Sequence, residues 1–266
     1  MTQLAFKGFE PVETKVIKFP YQDIPTQSKP RTETLTVNKP IIDKEYHDSS
    51  HNESNPMDAF TPEEIQIMLN YLWNTPSRYK DTNIRNYLYI SFSVNTSRRP
   101  KDIVSLRVCD VLTKDGEIKT HLHLKESKTG KYSRTPLNIE CQKALVKYFN
   151  LKGTYTMSEY LFPKYTSRDE HNTVPGMRMM LQRLAKKLVS LHPEYIEQGL
   201  FAKHYGTYSL RKTMPRHVLD TSNNPKDIST VSNFLMHSDP KVTSRYLNIR
   251  QEDIDDMVYK FGIGEE

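Results

Sequence analysis

Cysteine is almost missing from this chain of 266 residues: Cys109 and Cys141 are the only two, and no Cys-x-x-Cys pair occurs. That excludes a disulfide framework and a thiolate zinc site, and both thiols read as small core residues. Long apolar runs are missing as well. With 36% hydrophobic residues and a mean hydropathy of -0.70, no stretch approaches the roughly 20 apolar residues that a bilayer demands, so no membrane association is expected. Residues Met1 to Lys7 lack the charged and then apolar regions of a secretory signal, so a cytoplasmic location is expected. The acidic residues are scattered, without the clusters that hold two cations in metal-dependent nucleases. No Gly-rich loop ends in Lys-Ser or Lys-Thr, which argues against an ATPase. Internal repeats and low-complexity tracts are absent.

What is present is positive charge, unevenly placed. The formal net charge is +6. Residues 1–55 carry 7 Lys/Arg against 8 Asp/Glu, and residues 247–266 carry 2 against 6. Residues 56–246 therefore hold 29 basic and 18 acidic side chains. A field of that sign suits a polyanion, because neutralised phosphates release condensed counterions.

Residues 1–55 contain five prolines and the polar stretch His47 to Asn55, without helical or strand periodicity. They are expected to be a flexible or reduced N-terminal extension. Order is expected from Thr61-Pro62-Glu63-Glu64, where Thr61 and Glu64 make a capping box and Pro62 suits the first helical position. Ile65, Met68, Leu69, Leu72 and Trp73 then fall on one helical face and are expected in the core. A buried helix is expected over Ile84 to Val94. From Glu117 to Lys125 the period changes to two, with Ile118, Thr120, Leu122 and Leu124 inward and Lys119, His121, His123 and Lys125 outward. A turn at Ser127-Lys-Thr-Gly-Lys131 leads to a returning strand, Tyr132 to Leu137. His121 and His123 lack Cys or carboxylate partners and read as surface residues, not ligands. Helices are expected over 139–150, 177–191 and 226–236. The fold class is mixed α+β, mainly helical, with one small antiparallel sheet, and residues 56–250 form its main domain.

Five short motifs carry candidate chemistry. They are Thr96-Ser97-Arg98-Arg99-Pro100-Lys101-Asp102, followed by Leu106 and Asp110; the turn lysine Lys128, followed by Arg134; Tyr208-Ser209-Leu210-Arg211-Lys212; Leu235-Met236-His237; and Tyr246, nine residues after His237. Each alone is compatible with an ordinary surface or core residue. In this order and local spacing they resemble the boxes of the tyrosine recombinase (phage integrase) family over about residues 57–261.

The resemblance implies a catalytic fold and a role for each residue. Tyr246 is the nucleophile, Arg99 and Arg211 are the catalytic arginines, Asp102 is an acid behind Arg99, and Lys128 is a general acid on a β-turn, with Lys131 close enough to rival it. His237 completes the phosphate contacts. Tyr208 stands where the family usually has histidine; a phenol can donate a hydrogen bond, but with a pKa near ~10 it is a poor base at neutral pH. Ser97 and Met236 replace common glycines, and Pro215 falls inside the helix expected from Ser209. Lys131, Arg134, Lys212, Lys241 and Arg245 are expected to contact DNA.

These residue types suit metal-free phosphodiester cleavage. A tyrosine forms a phosphotyrosyl link that conserves bond energy, guanidiniums stay charged and grip two oxygens at once, and a lysine protonates the leaving oxygen. No cofactor or metal is expected. Double-stranded DNA is the expected partner, bound by a nucleoid-associated homotetramer with possible accessory DNA-bending proteins. The 3'-phosphotyrosyl polarity is implied by the resemblance alone. Ile254, Met257, Val258 and Phe261 form a stripe beside three aspartates, so residues 251–266 are expected to be an acidic amphipathic helix that packs either on its own domain or, as the resemblance implies, on a neighbouring subunit by exchange. Two other readings stay open: topoisomerase IB-like relaxation, and a DNA-binding accessory or regulatory protein with weakened catalysis.

Overall fold

The computed structural model describes residues 57–75, 80–164, 166–167, 169–222, 226–237 and 239–247. The expected N-terminal extension and C-terminal helix lie outside them. The elements are α1 (Pro62–Asn74), α2 (Lys80–Thr96), α3 (Pro100–Val104), α4 (Val108–Val111), β1 (His121–Lys125), β2 (Tyr132–Pro136), α5 (Ile139–Lys152), α6 (Val174–Leu191), α7 (Glu194–Glu197), α8 (Thr207–Thr221), α9 (Asp227–Phe234) and α10 (Pro240–Tyr246).

Helix α1 starts as its sequence requires. The Thr61 hydroxyl accepts from Glu64 N at 3.1 Å, and Glu64 Oε2 accepts from Thr61 N at 2.7 Å, which satisfies two end groups of the helix. Glu64 is nonetheless fully buried, because its Oε1 accepts from Phe201 N and the Tyr205 hydroxyl, both at 2.6 Å. One capping residue thus also ties down the loop that precedes α8.

Helix α2 lies at the centre, packed against α1, α5 and α8. Leu88, Tyr89, Ile90 and Phe92 are consecutive or nearly so and all are fully buried, so apolar contact surrounds the helix. Each such side chain contributes roughly 1.5–3 kcal/mol of hydrophobic stabilisation. Helix α5 meets it through Cys141, Ala144, Leu145 and Tyr148, and α6 buries Met177, Leu181, Leu184 and Leu188. The outward face of α6 carries Arg178, Arg183, Lys186 and Lys187. A separate small cluster of Val231, Leu235 and Leu247, with Val218, Leu219 and Tyr246 against it, joins α8, α9 and α10.

Three expectations are corrected. Trp73 is 44% exposed, because it sits at the edge of the α1 stripe, where it faces Tyr87 and the Lys147 ammonium, 4.3 Å from its ring. Cys109 is exposed, whereas Cys141 is buried. The first strand begins at His121, not Glu117: residues 117–119 bond back to 111–113, through Thr113 N to Glu117 O and Lys119 N to Val111 O, so one period-two run serves two partners. The sheet itself is the expected hairpin, antiparallel from His121 opposite Pro136 to Lys125 opposite Tyr132.

Candidate active site

The first arginine box is a helix end followed at once by a helix start. Helix α2 stops at Thr96, and Ser97 adopts a φ of 50°. That left-handed conformation favours glycine, so the serine holds it at a cost. The Ser97 hydroxyl donates to Val94 O at 3.1 Å. The turn aims Arg98 inward and puts Arg99 at the N-cap of α3. Arg98 is buried, donates to Thr96 O and Phe234 O, and lies 5.1 Å from the Phe234 ring.

The hairpin turn is fastened to this box. Glu126 N donates to Lys131 O, Gly130 N donates to Glu126 O, both at 2.9 Å, and Gly130 has a φ of 67°. Asp102, buried in α3, accepts from Ser127 N at 3.0 Å. The buried Glu126 carboxylate pairs with Arg99, lies 3.6 Å from Arg98 Nη1, and accepts from the Thr129 hydroxyl at 2.8 Å. Burial pushes that carboxylate up, but the Arg99 and Thr129 bonds outweigh it and hold its pKa below the usual range. Lys128 stands exposed on the anchored turn.

Helix α8 supplies Arg211, which is fully enclosed at 2% exposure. Its Nη2 donates to Leu235 O at 2.9 Å, whereas Nε and Nη1 are buried without a hydrogen-bond partner among the described residues. Burial lowers its pKa. Pro215 does not stop α8. Lacking an N–H, it releases the carbonyl four residues earlier, that of Arg211 itself. Tyr208 is 42% exposed and bears electrostatically on Arg211 and Tyr246. Lys212 departs from expectation. It is 5% exposed, its ammonium donates to Met57 O at 2.8 Å and lies 4.9 Å from the Tyr246 ring, so it packs the interior and is not presented to DNA.

The end of α9 decides where His237 goes. Met236 takes a φ of 57°, His237 N donates to Ser232 O and Met236 N donates to Asn233 O, each at 3.0 Å. These are the bonds of a Schellman cap, whose left-handed position is usually glycine. The two remaining carbonyls, Phe234 and Leu235, receive the Arg98 and Arg211 guanidiniums, so all four orphan acceptors of the buried helix end are satisfied. His237 Nδ1 is 2.8 Å from the Thr243 hydroxyl, and its ring meets Tyr246 edge-on at 5.2 Å. Burial first, then Arg211 and Arg99, lower the His237 pKa to about 4, which leaves the imidazole neutral at pH 7.

Tyr246 ends α10, which Asp239 caps by accepting from Lys241 N at 2.8 Å. Its hydroxyl oxygen is buried without a hydrogen-bond partner among the described residues, and Arg211 Cζ lies 5.8 Å from its ring. Burial raises its pKa to about 12 although Arg211 pulls the other way. The structure thus gathers Arg99, Asp102, Arg211, His237 and Tyr246 around one centre, with Lys128 and Tyr208 at its margin. Lys131, Arg134, Lys241 and Arg245 are exposed. Glu126, Arg98 and Thr243 were not singled out from the sequence. Glu126 had a readable signal, since it continues the inward positions 122 and 124, where an unpaired acid is out of place. Buried guanidinium edges beside a phenol and a neutral imidazole make a receptor for a tetrahedral anion. No group of three or more His, Cys, Asp or Glu able to hold a metal occurs among the described residues, nor does any helix there have the length and apolarity to cross a membrane.

Residues 59–253 match the model of the phage integrase family. The chain is 31% identical over 198 residues to "Probable integrase/recombinase YoeC" of Bacillus subtilis (strain 168), covering 74% of this chain and 92% of that protein. Its fold is similar to that of XerA recombinase, at a TM-score of 0.57 and 18% identity, covering 81% of this chain and 68% of that one. It is also similar to XerH site-specific recombinase bound to palindromic difH substrate, at a TM-score of 0.56 and 14% identity, covering 79% of this chain and 54% of that one.

Proposed function

The chain belongs to the phage integrase family of tyrosine recombinases, and from that premise we propose that it cuts and rejoins double-stranded DNA at specific sites through a 3'-phosphotyrosyl intermediate on Tyr246. The observation that carries this reading is the buried Tyr246 hydroxyl beside the unpartnered Nε and Nη1 of Arg211 and the ring of His237.

In the cleavage step the Tyr246 oxygen bonds to phosphorus as the bond from phosphorus to the 5' oxygen breaks. The phenolic proton passes to water, and Lys128 gives a proton to the departing oxygen. Arg99 and Arg211 hold the nonbridging oxygens and favour the charge of the transition state. Neutral His237 has one N–H. If Nδ1 accepts from the Thr243 hydroxyl, the proton sits on Nε2 and is donated to the phosphate. Tyr208 adds a phenolic donor where the family usually has histidine. Attack by a 5' hydroxyl reverses the step, so rejoining needs no ATP, and the cations of the chain supply the charge that metal ions bring to other nucleases. Lys131, Arg134, Lys241 and Arg245 contact the DNA backbone. A homotetramer that exchanges residues 251–266 carries out two such strand exchanges, in integration, excision or inversion of a mobile element, with accessory DNA-bending proteins where the site requires them.

The test is adduct formation on nicked suicide DNA taken from the sequence flanking the gene. A covalent protein–DNA species that Tyr246→Phe abolishes is expected. Its absence on DNA that is demonstrably bound would sink the enzymatic reading in favour of an accessory DNA-binding role.

A further inference from the structure

The acid whose place in the fold asks for a function is Glu126. It begins the turn that carries Lys128, yet its side chain points into the protein and is 1% exposed. The pair it makes with Arg99, its approach to Arg98 and its bond from Thr129 join three otherwise separate parts: the end of α2, the start of α3 and the turn itself. Asp102 adds a second tie by accepting from Ser127 N. Two carboxylates therefore fasten residues 126, 127 and 129, and the one residue between them that projects freely is Lys128. A buried charge is costly unless its partners compensate it. A polar residue at that position would suffice merely to close a turn, since the backbone bonds from Glu126 to Gly130 and Lys131 already close it.

We propose that Glu126 is a positioning residue that locks the Lys128 turn to the catalytic arginines, so that the lysine is delivered to the leaving oxygen only when Arg99 is seated. This rests on the recombinase reading above. The carboxylate does not touch DNA and does not exchange a proton. It acts through Lys128, so Glu126→Gln, which can still accept from Arg99 and keep that arginine in place, costs the protonation of the leaving group and spares the grip on phosphate. General-acid steps are worth roughly 10²–10⁴-fold, and losing the anchor is expected to forfeit about 10²-fold of that.

The leaving atom separates this role from a merely structural one. Once the wild-type adduct has mapped the cleaved bond, Glu126→Gln is compared with wild type on two substrates, one with the ordinary 5' oxygen and one with sulfur in its place. A thiolate leaves without a proton donor because the thiol pKa is near ~8.5, far below that of an alcohol. Glu126→Gln is expected to cleave the oxygen substrate about 10²-fold more slowly and the sulfur substrate within a few-fold of wild type, as Lys128→Ala should. Arg99→Ala should fail on both. Should Glu126→Gln melt below the assay temperature, Thr129→Val, which keeps the charge and removes one bond, carries the test with a smaller loss confined to the oxygen substrate. Equal losses on both substrates, or no loss on either, overturn the proposal while leaving the recombinase reading intact. No adduct from wild type on bound DNA overturns that reading, and the role of Glu126 with it.

Discussion

In the arm formed by α3 and the hairpin, Arg98 and Arg99 meet the buried carboxylate of Glu126, whereas in the arm formed by α8, α9 and α10, Arg211 meets the Leu235 carbonyl and the Tyr246 ring and acts on a neutral imidazole, that of His237. The first arm is packed into the main core, and the second rests on a small cluster of Val231, Leu235 and Leu247. The difference separates two tasks. A carboxylate shared by two arginines fixes Arg98 and Arg99 in place and still leaves one positive charge over, and Arg211, with no carboxylate beside it, keeps its whole charge for the anion that arrives. Burial lowers the pKa of both Arg98, to about 10, and Arg211, so what distinguishes the arms is the carboxylate and not the desolvation.

The largest test of this contrast is Arg211→Met. Cleavage should fall by about 10²–10³-fold or more, as for loss of a donor aimed at developing charge, while the melting temperature changes little, because removing a buried charge that has no carboxylate offsets the lost bond to Leu235 O. A large loss of stability would show that Arg211 is compensated after all. Arg98→Met should destabilise by roughly 1–3 kcal/mol, since it leaves the buried carbonyls of Thr96 and Phe234 without their donor while Glu126 keeps Arg99; a change in the chemical denaturation midpoint equivalent to under 1 kcal/mol would break the comparison.

Smaller effects probe the two helix ends that frame the arms. Ser97 and Met236 both hold left-handed backbone, a conformation costing non-glycine residues about 1–2 kcal/mol. Ser97→Gly and Met236→Gly should each raise stability by somewhat under ~1 kcal/mol, because glycine recovers that strain but loses more unfolded-chain entropy. Destabilisation by either would show that its side chain contributes more than the strain it imposes. Smallest is the pH effect of His237. Its pKa is lowered to about 4 from 6.5, so between those values the unfolded chain binds a proton that the folded chain does not. Stability therefore rises with pH across that window and is lost as pH falls through it. The melting temperature of His237→Asn should fall less steeply than that of wild type from pH 7 to 4.5, and parallel curves would refute the assignment.

Much of this was legible in the chain. The capping box of α1, the stripe of α6 and the hairpin follow from local spacing, which backbone hydrogen bonding and helical geometry read directly, and the residues gathered at the centre were picked out by their resemblance to the family's boxes. Trp73 and Cys109 were misplaced, because periodicity gives the direction of a face and not how far a neighbour covers it. Lys212 was misread for a related reason: a lysine in a basic motif looks solvent-bound until Met57, 155 residues away, offers its carbonyl.

By itself, then, the sequence determined the family, the helical class and the order of the candidate site motifs, since each is encoded by residue type at short separation. Only the tertiary structure decided which charges are compensated. Glu126 reaches Arg99 from 27 positions along the chain and Arg98 reaches Phe234 from 136, and whether a buried charge finds its partner depends on what packing brings within a few ångströms.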